Sequence, residues 1–140
     1  MRKLSTFLFT ALIAAAMAAC SSSPTAPTGP TPVTLAPGQS TQVGSLAVKF
    51  IGVTIDTRCP ADAMCIQMGD AFVALETAML GGRRAFELQL LNPTHRSTTH
   101  GSYSIELTEV NPYPFSNRPI APADYRVTLR VARDISPAVR

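Results

Sequence analysis

The sequence predicts an all-β fold: a small antiparallel β-sandwich, immunoglobulin-like or else closed as a barrel, with one disulfide-stapled loop. Three observations carry this. Apolar and polar residues alternate with period two in several runs, most clearly in "FELQL" and "YRVTLRV". Turn pairs such as Pro37-Gly38 and Gly81-Gly82 separate the runs. Past the N-terminal segment, no stretch sustains the 3.6-residue period of an amphipathic helix. Half-buried alternation belongs to antiparallel sheets with one wet face.

The elements follow in chain order. "VTLAPGQSTQVG" places apolar Val33 and Leu35 before the Pro37-Gly38 turn. In "SLAVKFIGVTID", Leu46, Val48 and Phe50 share one face, and Ile51, Val53 and Ile55 share the other. A period of two cannot change parity without an extra residue. A bulge or change of sheet is therefore expected near Ile51 and Gly52; a strand buried on both faces is the alternative. "DAFVALETAML" is the next run, closed by the Gly81-Gly82 turn. "RRAFELQLL" points Phe86, Leu88 and Leu90 inward and Glu87 and Gln89 outward. "SYSIELTEV" sets Tyr103, Ile105 and Leu107 against Ser104, Glu106 and Thr108. "DYRVTLRVAR" sets Tyr125, Val127, Leu129 and Val131 against Arg126, Thr128 and Arg130. That makes five or six short strands, with no internal repeat.

The chain opens "MRKLSTFLFTALIAAAMAAC". Arg2 and Lys3 precede a mostly apolar stretch from Leu4 to Ala16, and small residues lead to Cys20. This is the layout of a bacterial secretory signal over 1–19. An uncleaved anchor would need roughly 20 apolar residues, and this stretch is shorter. "MAAC" resembles the lipobox of bacterial lipoproteins, with Met17 a slightly unusual first residue. The resemblance implies cleavage before Cys20 and acylation of its thiol with diacylglycerol and palmitate-type chains. Each buried methylene contributes about 0.8 kcal/mol, so several chains hold a protein on a membrane almost permanently. The implied location is the cell envelope, lipid-anchored. Ser21 after the lipid site favours the outer membrane if the cell has one.

Residues 20–32 form the lipidated cysteine and a Pro/Ser/Thr-rich linker, "SSSPTAPTGPTP" after Cys20, without charge or large apolar side chains. In extended polyproline geometry it reaches roughly 35–40 Å. Residues 33–140 make one domain, long enough for a core without metals. The net charge of +3 counts Arg2 and Lys3. Without them, 10 basic residues face 9 acidic ones. Scattered charge near balance gives no argument for nucleic acid, and the expected partners are the membrane, through the lipid, and an undefined envelope component.

"TRCPADAMCIQMGDA" holds the two remaining cysteines, Cys59 and Cys65. In an oxidising compartment a disulfide between them is the simplest reading. A redox pair normally has a two-residue gap, and here the gap is five. Zinc needs four ligands, and two cysteines without a nearby histidine supply half. Pro60 suits the start of a single helical turn that would bring the sulfurs together. Gly69 suggests a positive-φ corner into the next strand.

The stretch "DTRCPADAMCIQMGDAFVAL" resembles a motif of bacterial secreted proteins and lipoproteins of unknown function. The motif runs D-x-R-C-P, four residues, C, three residues, G-x-A. Asp56, Arg58, Cys59, Pro60, Cys65, Gly69 and Ala71 match it, and "LTEVNPYPF" and "DYRVTLRV" resemble the family's closing strands. Gln67 departs from it, standing where tryptophan is expected. The family carries no activity to transfer. Asp56 and Arg58, two apart, are expected to pair locally or to hold the loop.

No nucleophile elbow, phosphate loop or paired carboxylate is visible, so a non-catalytic binding or structural module is expected, without a cofactor. Two alternatives belong to other classes. His95 and His100 in "NPTHRSTTHGSY" are weak metal-ligand candidates, because no carboxylate or cysteine lies in the segment and a polar solvated loop explains them. That would make the protein a metal-binding accessory of the envelope. "NPT" here and "RP" at Arg118-Pro119 resemble loops of chagasin-type cysteine protease inhibitors, which are immunoglobulin-like. The tyrosine is displaced, however, and isoleucine (Ile120) replaces the tryptophan. The segment 111–122, "NPYPFSNRPIAP", is a rigid crossover or a binding loop.

Overall fold

The computed structural model describes residues 29–134. The signal segment, Cys20 and most of the linker lie outside them. Eight strands form: β1 (Thr31–Leu35), β2 (Ser40–Val43), β3 (Leu46–Asp56), β4 (Ala71–Met79), β5 (Gly82–Gln89), β6 (Ser97–His100), β7 (Tyr103–Asn111) and β8 (Arg126–Arg133). A short 3-10 turn spans Pro122–Asp124. There is no α-helix among the described residues.

The strands make two four-stranded antiparallel sheets, ordered β1-β8-β7-β6 and β2-β3-β4-β5. The protein is a β-sandwich, as the alternation predicts. Each strand lies beside a chain neighbour, except that β1 returns to β8. The likeness to immunoglobulin domains therefore lies in the two-sheet architecture rather than in a Greek-key return. The count of eight exceeds the expected five or six because two strands are only four residues long. "STTH", read as polar loop, is one of them: β6 pairs with β7 from Ser97↔Glu106 to His100↔Tyr103. The first strand begins at Thr31, two residues into the expected linker. Pro32 is tolerated there because β1 is an edge strand.

The core lies between the sheets and is built from the predicted inward faces. Leu46, Val48 and Phe50 of β3 face Ile105, Leu107, Val127, Leu129 and Val131 of the other sheet's strands, all fully buried. The parity change in β3 is resolved by bulges. Phe50 pairs with Leu75 and Gly52 with Ala74, so Ile51 is the extra residue. A second irregularity falls at Thr54, which the sequence did not suggest. The first bulge turns Val53 inward beside Val73, and the second brings Asp56 inward beside Ala71. Ile51 and Ile55 are left about half exposed, so β3 is not buried on both faces.

The two sheets are pinned at one end by Tyr103. Its hydroxyl accepts a hydrogen bond from the Ser45 amide at 3.0 Å, across the sandwich. Gly44, at φ +60°, lets the β2–β3 turn lie directly on that hydroxyl, where a Cβ would strike it. The donors from Ser45 lower the Tyr103 pKa below the ordinary phenol value. The Gly81-Gly82 turn is offset by one: Leu80 and Gly81 make the turn, and Gly82, at φ +119°, opens β5.

Candidate functional site

Two long loops meet at the opposite end of the sandwich. One, 57–70, joins β3 to β4 in one sheet; the other, 112–125, joins β7 to β8 in the other. The strand directions make both turn at the same end, and the second bulge of β3 delivers Asp56 there facing inward.

Arg58 organises this end. It is 5% exposed, the one buried cation among the described residues. Its Nε donates to Asp56 Oδ1 at 2.8 Å and its Nη2 to Oδ2 at 2.6 Å, a fork-to-fork pair. Nη1 donates to the Val110 carbonyl at 2.6 Å, and Nη2 also to the Pro112 carbonyl at 3.0 Å. The guanidinium lies over the Tyr113 ring, 5.2 Å from its centre. Tyr125 completes the cluster by donating its hydroxyl to Asp56 Oδ2 at 3.1 Å. The expected local pairing of Asp56 with Arg58 is present, and it also ties one sheet's loop to the other's.

Burial pushes the Asp56 carboxyl up, but the hydrogen bonds and charge of Arg58, with the Tyr125 hydroxyl, outweigh it and hold it below the ordinary value. Burial and the neighbouring Asp56 charge push Tyr125 up to about 12. A carboxylate held ionised and a phenol held neutral, each satisfied by the other, are poorly placed to exchange protons with a substrate near neutral pH.

The cysteine loop is closed at several levels. At its base the Thr57 amide donates to the Asp70 carbonyl at 2.8 Å, and the Asp70 amide donates to Thr57 Oγ1 at 3.0 Å. Asp70 Oδ1 accepts from the amides of Ala71 and Leu91, fastening the starts of β4 and the β5–β6 connection. Cys59 and Cys65 are disulfide-bonded, with their Cα atoms 5.9 Å apart. Pro60 starts one hydrogen-bonded turn, its carbonyl accepting from Ala63, and no helix follows. The Ala61 amide donates to the Pro114 carbonyl at 2.9 Å. Asp62 Oδ1 accepts from the Ser116 amide and hydroxyl, which lowers its pKa.

Gly69 is required for a reason other than the one expected. Its φ is not in the positive region. Instead, a Cβ there would land on the Thr57 carbonyl oxygen across the base of the loop. The glycine serves close backbone approach rather than a left-handed corner.

What remains exposed is apolar. Met64, Ile66 and Met68 are 102%, 105% and 76% exposed. Tyr113 and Phe115 of the second loop are about half exposed, with Arg118 over the Phe115 ring at 5.9 Å. Alternating Met, Ile and Met in a stretch without charge was a signal available in the sequence, but no strand period points it at a core. The segment 111–122 is not a crossover: it lies in the long hairpin connection between the adjacent antiparallel strands β7 and β8, and its first half packs against the cysteine loop.

The two histidines do not converge. His95 is exposed in the turn before β6, and His100 ends that strand. A four-residue strand spans about 13 Å, too far for one ion to touch both rings. His100 Nδ1 is also hydrogen-bonded to the buried Thr77 hydroxyl at 2.8 Å. Among the described residues no three His, Cys, Asp or Glu side chains gather as a metal site. A depression of about 290 Å³ on the outer face of β2–β5 is lined by Lys49, Glu76 and Arg83 among small residues. There Arg83, exposed to solvent, donates to the half-buried Glu76 at 3.0 Å, so two of its three charged groups are spent on each other.

Compared with known proteins, the chain matches no family model, no curated protein and no solved structure.

Proposed function

We propose that this is a lipid-anchored protein of the cell envelope whose β-sandwich acts as a non-catalytic binding or structural module. The observation that carries the reading is the opening "MRKLSTFLFTALIAAAMAAC", with its positive start, apolar run and small residues before Cys20. The Cys59–Cys65 disulfide supports it independently, since such bonds persist in exported proteins and are rare in the cytosol. The loop end supports the non-catalytic part. Its buried charges are consumed by one another and by backbone carbonyls, and the work they do is to hold two loops together.

The test replaces Cys20 by Ala in the full chain and follows a palmitate analogue in growing cells. The parent is expected to be labelled, and the variant to remain unlabelled with its signal uncleaved. Label on the variant would overturn the assignment of Cys20.

A further inference from the structure

We propose that the apolar tip of the cysteine loop, Met64, Ile66 and Met68, inserts into the same leaflet that holds the lipid anchor. This rests on the lipid-anchored reading above.

The first observation is chemical. All residues from 61 to 68 are exposed, and no charged side chain lies between Asp62 and Asp70. Three large apolar side chains stand almost fully in water at one tip, where burial would be favourable. Their surroundings suit the level of lipid headgroups. Tyr113 and Phe115 stand on either side of Pro114, whose carbonyl holds the Ala61 amide at the start of the tip, and Arg118 stacks over Phe115 with its charge free to face phosphate. The carboxylate of Asp62 is tied down by Ser116, and Asp124 stays exposed as an opposing charge.

The second observation is rigidity. The disulfide, the Arg58 clamp and the bonds of Ala61 and Asp62 hold the loop in place before any contact. Insertion then orders little that is not already ordered.

The third is reach. β1 begins at Thr31, level with Val131, while β8 starts at Arg126 beside the loops. Five strand residues put the tether's attachment about 17 Å above the base of the loops. Cys20 and Thr31 are separated by eleven residue steps. Such a length of chain spans at most about 36–40 Å. That ceiling exceeds the height of the strand by roughly 20 Å, which leaves room for the loop itself. A domain tethered at its far end can therefore lie tip-down on its own membrane. The tether keeps the tip at high local concentration there, so weak insertion suffices.

The protein contains no tryptophan, so a single introduced one is an unambiguous reporter. The full chain would be exported, purified in detergent and reconstituted into phosphatidylethanolamine–phosphatidylglycerol vesicles with brominated acyl chains. Ile66→Trp is expected to shift to the blue and lose most of its emission to bromine quenching. Leu80→Trp, fully exposed in the β4–β5 turn at the opposite end, is expected to keep its aqueous spectrum. Adding Met64→Glu and Met68→Glu to Ile66→Trp should abolish the quenching without changing vesicle association. Ile66→Trp unquenched in protein that still floats with the vesicles would overturn the proposal. So would a blue shift that depends on protein concentration and ignores bromine, which would mean that a second copy covers the tip. Failure to float after an alkaline wash identifies failure of the lipid anchor instead. Ile66→Trp protein coupled through its then free Cys20 thiol to a maleimide lipid in the brominated vesicles decides the loop alone, quenching supporting insertion and its absence overturning it.

Discussion

The Arg58 guanidinium donates to the Val110 carbonyl at 2.6 Å, joining residues 52 positions apart at the turning points of two different sheets. The same guanidinium holds Asp56 by two parallel hydrogen bonds. Arginine suits this position because its planar fork can serve several acceptors at once, which a lysine ammonium cannot do in the same plane.

Arg58→Ala should therefore be the most damaging single change at this end. It leaves the Asp56 carboxylate without its cation and the Val110 and Pro112 carbonyls without their donor. A loss of about 3–5 kcal/mol is expected, read from urea unfolding followed by circular dichroism. Arg58→Lys should retain the charge but lose the fork, and fall between the two. A loss under about 1 kcal/mol for the alanine variant would mean that the loops are held by other contacts.

The pH dependence follows from the signs of two shifts. Asp56 is lowered in the folded chain, so unfolding takes up a proton as the pH drops. Its contribution is complete above 3.8, the ordinary value, and is lost as pH falls through the lower folded value. Tyr125 is raised from 10.0 to about 12, so the folded chain keeps a proton that the unfolded chain releases. Its contribution is complete below pH 10.0 and is lost as pH rises towards about 12. Melting temperature plotted against pH should decline in both windows. Tyr125→Phe should lessen the alkaline decline, where the lowered Tyr103 works in the opposite sense, and Asp56→Asn should lessen the acid one, which Asp62 shares.

Gly69→Ala and Gly52→Ala make a matched pair. The first places a methyl on the Thr57 carbonyl, a backbone atom that cannot swing aside. The second, in the β3 bulge, meets nothing within 4 Å. Gly69→Ala should cost about 1–3 kcal/mol, as overpacked sites do. Gly52→Ala should be neutral or slightly stabilising, because it restricts the unfolded chain. Equal effects of the two in thermal unfolding would remove the close-approach explanation.

Replacing Cys59 and Cys65 together by Ser opens a short ring. The chain-entropy account gives a loss of about 2 kcal/mol, or several degrees in melting temperature for a domain of this size. The β-sheet spectrum should persist, because the core strands do not depend on the loop. In the parent, given the proposed acylation of Cys20, a thiol reagent should find nothing to react with in the unfolded, unreduced protein. Two reactive thiols in freshly exported protein would contradict the bond.

The residues of the core were legible in the sequence because burial of a strand face is a local property. Leu46, Val48, Phe50, Ile105, Leu107, Val127, Leu129 and Val131 all follow from alternation alone. The bulge at Ile51 followed too, since parity cannot change without an extra residue. So did the cysteine pair, there being three cysteines and one of them assigned to the lipid. The four-residue strands β2 and β6 were not legible, because so few residues establish no period.

The loop end was decided only by the tertiary structure. Tyr125 lies 69 residues from Asp56, and nothing near either residue names the other. Two of Arg58's acceptors are backbone carbonyls, which every residue carries and no sequence pattern marks. Gly69 was visible as a glycine, but the atom that requires it, the Thr57 carbonyl, reaches it only once the loop has closed. The exposure of Met64, Ile66 and Met68 is of the same kind. Apolar side chains are buried only where another surface arrives to cover them, and which surfaces meet is set by how the two sheets stack, beyond the range of any local period.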